Sequence, residues 1–170
     1  MRSKGFTLIE LLITIVLIGI MTTVAMLAMG SGNQRDWQRQ EAERLVQVCK
    51  LASQESIVQG VPIALEFFSH GYRFMIEHNG KWQPNMTDAI FRPTTLQAQL
   101  ALTLALNKKP IVLSPSASVL AKPQIVFTPD GDSPLFEVSI TLVNDDTVFI
   151  IANTLKQGMV LTTKPNNSRP

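Results

Sequence analysis

The chain has 170 residues, 45% hydrophobic and only 16% charged, with a net charge of +2 at neutral pH. Its basic residues form no stripe, Lys108-Lys109 being no more than a pair, so no nucleic-acid partner is expected. One cysteine, Cys49, and two histidines, His70 and His78, leave no intrachain disulfide and no zinc-ligand spacing, and phosphate-binding and nucleophile-elbow motifs are absent. The sequence offers no catalytic constellation and implies no cofactor.

The N-terminus opens on a basic head, MRSK, followed by Gly5. From Phe6 to Met29 the only ionisable side chain is Glu10. As a helix this run is about 36 Å long at about 1.5 Å per residue, enough to cross a hydrocarbon core of about 30 Å. Arg2 and Lys4 place the leading end in the cytoplasm by the positive-inside rule. The remainder then faces the periplasm of a Gram-negative cell. A carboxylate inside such a span is costly unless it is paired or neutralised. Glu10 has two readings: it reaches the interface by snorkelling, or it meets a cation. If the chain were cut after Gly5, Phe6 would carry an α-ammonium one helical turn from Glu10. That ammonium could pair with Glu10 of its own chain or of a staggered neighbour.

Gly30-Ser31-Gly32-Asn33 is either a break or a soft point in one long helix. Continuity is the favoured reading. Over Gln34–Gln59, Leu45, Val48, Cys49, Ala52 and Ser56 share one helical face, with Arg39, Glu43, Lys50 and Gln54 elsewhere. Cys49 on this stripe reads as a small buried apolar side chain. Gly60 and Pro62 stop the helix.

After Val61 the period becomes two. Ile63, Leu65 and Phe67 alternate with Ala64, Glu66 and Phe68; Tyr72, Phe74 and Ile76 follow the turn Ser69-His70-Gly71. His78-Asn79-Gly80-Lys81 is a second turn, after which Trp82 closes the strand against the core. Both histidines read as solvated turn residues. Residues 83–95 are irregular. Leu100, Leu102, Leu104 and Leu106 alternate toward the turn Asn107-Lys108-Lys109-Pro110 and a partner strand Ile111-Val112-Leu113. Ser114 to Lys122 is a Ser/Ala/Pro loop, exposed and a candidate contact surface. Ile125-Val126-Phe127 leads into Thr128-Pro129-Asp130-Gly131-Asp132, read as a hairpin turn in preference to a calcium loop, because further oxygen ligands are missing. Phe136–Leu142, Thr147–Ala152 and Met159–Leu161 complete about eight strands, and residues 162–170 read as a frayed tail. The fold class is α+β, a long N-terminal helix packed on antiparallel sheet. Its segments are 1–5, 6–29 (transmembrane), 30–60 (the rest of the helix) and 61–170 (β-rich).

Gly5-Phe6-Thr7-Leu8-Ile9-Glu10 behind a short basic leader resembles the class III signal of type IV pilins and pseudopilins. Further along, Glu41-Ala42-Glu43-Arg44-Leu45, Gly60-Val61-Pro62, Gly71-Tyr72-Arg73-Phe74 and Ile125–Gly131 resemble the minor pseudopilin H family of type II secretion. The resemblance implies a pilin-like fold, cleavage of the leader 1–5 after Gly5 by a prepilin peptidase, N-methylation of Phe6, and a docking role for Glu10. It also implies an inner-membrane subunit of a periplasmic pseudopilus that exports folded proteins, with the other minor pseudopilins and the major pseudopilin as partners and no enzymatic activity. Three other readings stay open. One is a minor pilin of a type IV or DNA-uptake pilus. Another is a Sec-exported binding protein or enzyme cut near Ala28-Met29-Gly30. The last is a membrane-anchored domain that never assembles.

Overall fold

A computed structural model describes residues 7–86, 88–117, 122–143 and 145–165, with side chains throughout except for residues 27–33. Contacts divide the chain into two units, residues 1–37 and 38–170. One helix, α1 (Leu8–Gln59), runs from the first unit into the second. It is continuous through Gly30 and Gly32, so the favoured reading holds and the glycines are tolerated at about 1 kcal/mol each. It ends at Gly60, whose φ of 68° and N–H bond to Ser56 O at 3.0 Å form a left-handed stop.

In the second unit α1 packs one stripe. Gln38, Ala42, Leu45, Cys49, Ala52 and Ser56 recur at alternating steps of four and three, and all are fully buried. The stripe lies on two antiparallel sheets. Sheet A contains β1 (Ile63–Phe68), β2 (Gly71–His78), β3 (Lys81–Pro84), β4 (Thr94–Thr95) and β7 (Ile125–Phe127). Its order is β3-β2-β1-β7, with β4 also on β2. Sheet B contains β5 (Leu100–Leu106), β6 (Lys109–Ile111), β8 (Phe136–Leu142), β9 (Thr147–Thr154) and β10 (Gly158–Pro165), in the order β10-β9-β8-β5-β6. Leu102, Leu104, Val138, Ile140 and Ile151 from sheet B join Leu65, Phe67, Phe74 and Phe127 from sheet A in one core with the helix stripe.

Several expectations need correction. The strand 125–127 does not turn back on 136–142. β7 pairs with β1, through Ile63↔Phe127 and Leu65↔Ile125, while β8 lies in the other sheet. Thr128–Asp132 is a tight turn, with the Thr128 hydroxyl on the Asp130 carboxylate and on Asp132 O at 2.9 Å, but it hands the chain from one sheet to the other. Alternation marks a strand and says nothing of its partner. In β1 both faces are buried, although period two predicts one. Glu66 sits there because Arg73, its register partner on β2, meets it at 2.5 Å, and because the incoming chain covers it. The Gln124 side chain continues that cover, bonding both N and O of Phe67.

The turn 107–110 is only two residues long. Asn107 and Lys108 both take positive φ, and Pro110 lies inside the edge strand β6, where its missing N–H costs no sheet bond. Val112 is nearly fully exposed and pairs with no strand, so the partner strand is 109–111. β10 reaches Pro165, well past Leu161, because backbone pairing along β9 to Thr147 needs no apolar side chains. His78 closes β2 and does not lie in the turn itself. Trp82 is half-buried on β3. The described part of the 114–122 loop is exposed; residues 118–121 of it and 166–170 of the tail lie outside the described residues.

Candidate functional site: an exposed apolar helix with one carboxylate

Among the described residues of the first unit, no core packs around the helix. Every described side chain from Thr7 to Met26 is exposed, with Leu8 at 83% and Met26 at 73%. Leu8–Met26 is long and apolar enough to cross a membrane. Beyond the first turn its backbone bonds run within the helix, and its threonine hydroxyls bond there too. Thr14 Oγ1 donates to Glu10 O and Leu11 O at 2.9 and 2.8 Å, Thr22 Oγ1 to Ile18 O at 2.5 Å, and Thr23 Oγ1 to Gly19 O at 2.7 Å. No side-chain hydroxyl of this stretch therefore needs water, which suits a hydrocarbon surrounding.

Glu10 is the exception. It lies in the first turn of α1, its own N–H on Thr7 O at 3.1 Å. Its side chain is exposed, and no cation among the described residues pairs with it. Gly5 and Phe6, the expected processing residues, lie outside the described residues, so the ammonium that cleavage would create has no described position.

The second unit is tied to α1 by polar groups at intervals along the stripe. Gln38 Nε2 donates to Ile140 O at 2.9 Å and Thr147 O at 3.0 Å, gripping β8 and the start of β9. Ser56 Oγ donates toward Val61 O and Phe127 O, at 2.8 and 2.9 Å, gripping β7. Between them Arg44 reaches Thr94 Oγ1 at 3.1 Å and Tyr72 Oη at 3.4 Å. Burial pushes the Tyr72 phenol up to about 12, with Arg44 pulling the other way. Burial alone pushes the Cys49 thiol up, so it is a neutral packing group at physiological pH. Ser56 is on the expected stripe. Gln38 and Arg44 are not, although Gln38 stands one four-residue step before Ala42, and that spacing was the available signal.

His70 is exposed in the turn before β2, with Nδ1 held 2.9 Å from Leu100 O, and His78 is exposed at the far end of β2. Among the described residues no group of three His, Cys, Asp or Glu could hold a metal. Asp130, whose carboxyl is held below its usual range by Thr128 and the Asp132 N–H, spends its oxygens on its own turn.

Residues 1–26 match the prokaryotic N-terminal methylation motif, and residues 41–158 match the Type II transport protein GspH model. The chain belongs to the GspH family. Type II secretion system protein H of Aeromonas hydrophila is 29% identical over 108 residues, and that of Pseudomonas aeruginosa 28% over 116 residues. These matches span 62% and 67% of this chain but 59% and 65% of those relatives. The fold recurs in the minor pseudopilin EpsH of Vibrio cholerae, with a TM-score of 0.64 and 20% identity over 79% of this chain and 98% of that one. It recurs also in E. coli GspH, with a TM-score of 0.58 and 19% identity over 84% and 99%. The pilin-like α+β fold and the family resemblance both agree with the sequence expectation.

Proposed function

We propose that this chain is a minor pseudopilin, a structural subunit of the type II secretion pseudopilus that serves export of folded proteins across the outer membrane. The observation that carries this reading is the coincidence of two matches in one chain, the methylation motif over residues 1–26 and the GspH model over 41–158. In this reading residues 1–5 are a leader, removed by prepilin peptidase after Gly5, and Phe6 is N-methylated. Residues 6–29 cross the inner membrane with the N-terminus cytoplasmic, residues 30–60 continue the helix in the periplasm, and residues 61–170 form the periplasmic β domain.

The role is packing. The exposed apolar helix enters a bundle with the helices of other minor pseudopilins and the major pseudopilin, exchanging lipid for protein neighbours. Glu10 meets the Phe6 ammonium of a neighbour, and because an unpaired charge in hydrocarbon is costly, the pair sets the stagger between subunits. No catalysis is required of the β domain.

The test is the intact mass of the membrane-bound protein with and without prepilin peptidase, combined with Glu10→Val. The expected result is a chain starting at methylated Phe6 only when the peptidase is present. Glu10→Val should remain stable in the membrane while pseudopilus incorporation and secretion fall by at least about tenfold, the effect of losing on the order of 1.4 kcal/mol of pairing. A soluble chain starting at Ser31 would refute the reading in favour of an exported protein. Function left intact by Glu10→Val would favour a simple membrane-anchored domain.

A further inference from the structure

The described sheet edges are not alike. Sheet A ends at β3 and β7, with the two-residue β4 also on β2, and sheet B ends at β6 and β10. β3 has four residues and contains Lys81 and Pro84; β6 has three and contains Lys109 and Pro110; β7 has three and lies between Pro123 and Pro129. Short length, lysine and proline keep a strand edge from pairing with another chain. β10 lacks these defences over most of its course. It is eight residues long, and from Gly158 to Thr163 it carries no charge and no proline. β9 takes one side of it along the whole length, and among the described residues no backbone bond reaches the other side. Alternate N–H and C=O groups of β10 therefore point away from the sheet. Met159 and Leu161 pack on the core but are only partly buried, whereas Ile151, opposite Leu161 on β9, is fully buried.

We propose that β10 is completed by an added strand, an extended uncharged segment of a partner protein with apolar side chains at every second position. A row of backbone donors and acceptors is complemented in step only by another extended backbone. The absence of charge from Gly158 to Thr163 leaves a charged segment nothing to pair with. Met159 and Leu161 set the apolar period, because every second side chain of the added strand lies beside them and extends the core by one strand. The inference deepens the proposed function and rests on it only for the expectation that a fibre neighbour supplies the strand; the binding test below does not depend on it.

The test is amide hydrogen exchange of the full chain in neutral detergent, read by mass spectrometry. The probe is a capped peptide of β10's length in which valine and threonine alternate between terminal lysines. At saturating peptide, exchange should slow in β10 and stay unchanged in β3 and β6. The same peptide with every amide N-methylated keeps the side chains but loses the donors, and should have no effect. Nor should a peptide with glutamate in place of valine. Val160→Lys combined with Thr162→Lys gives β10 the defence of the other edges and should abolish the slowing. Val112→Lys, at a side chain 98% exposed just beyond β6, should leave it intact. An unchanged near-UV circular dichroism spectrum verifies that each variant is folded. Unslowed exchange in β10 would overturn the proposal. So would equal slowing by the N-methylated or the glutamate peptide, or slowing retained in the double lysine variant. Slowing that grows with protein concentration in the absence of peptide would give the edge to a second copy of this chain, and would overturn it too.

Discussion

Tyr72 and Cys49 are two acids locked in their neutral forms by burial, and they sit in the same helix–sheet interface. Their ordinary values are 10.0 and 9.0, and both are raised, the phenol to about 12. The folded chain therefore keeps protons that the unfolded chain releases at lower pH. The contribution to stability is complete below pH 9 and is lost as pH climbs, first through the thiol and then through the phenol between pH 10 and 12. For Tyr72 alone, 1% exposed, the loss by pH 12 is on the order of 2 kcal/mol. Equilibrium urea unfolding of the full chain in detergent, repeated across pH 7 to 12, should show stability flat and then falling. Cys49→Ala should delay the onset toward pH 10, and Tyr72→Phe should flatten the upper limb. A profile unaltered by either substitution would assign the alkaline loss to other groups.

At the scale of elements, the shortest described strand depends on one glycine. β4 is two residues long and pairs Thr94 with Tyr72 and Thr95 with Gly71 of β2. A Cβ built on Gly71 would lie 2.4 Å from Thr94 O and 2.5 Å from Phe68 Cε2. The carbonyl is backbone and cannot swing aside, so Gly71→Ala must push β4 off the sheet. Arg44 would lose Thr94 as it moves. A cost of about 2 kcal/mol is expected, read as a lower thermal midpoint, with amide exchange accelerated at Leu96, whose N–H bonds His70 O at 2.9 Å. Gly71 was legible in sequence only as a turn residue; the close approach that demands glycine comes from a strand more than twenty residues later in the chain. The same limit explains the other misses. Alternation in Phe136–Leu142 and Leu100–Leu106 identified strands from their own residues, because each buries one face. The partner of Ile125–Phe127, the burial of Glu66 beside Arg73 and the polar length of β10 are all set by distant backbone. Local pattern carries no trace of them. On the helix the apolar stripe was readable, whereas the Gln38 end was hidden because glutamine signals a surface when its acceptors lie on β8 and β9.

The whole molecule joins two surfaces with opposite requirements on one helix. Residues 8–26 expose apolar side chains and hold their hydroxyls internally, which demands a non-aqueous or protein surrounding. Residues 38–170 close on themselves: the stripe from Ala42 to Ala52 is fully buried on two sheets, and its polar ends at Gln38 and Ser56 are bonded to strand carbonyls within the same unit. Among the described residues, the core cluster of that unit begins at Ala42. The unit is also large enough, at about 130 residues, to be stable alone. A chain beginning at residue 34, which leaves about one helical turn ahead of Gln38, should therefore be soluble without detergent, monomeric by sedimentation, and cooperative in thermal unfolding with an intact near-UV spectrum. Gln38→Ala in that shortened chain should cost about 1 to 2 kcal/mol, because the Ile140 and Thr147 carbonyls lose their donor at the helix end. A shortened chain that is molten or aggregates would mean that the β domain needs the apolar half of α1 to fold, and the division of labour along the helix would be wrong.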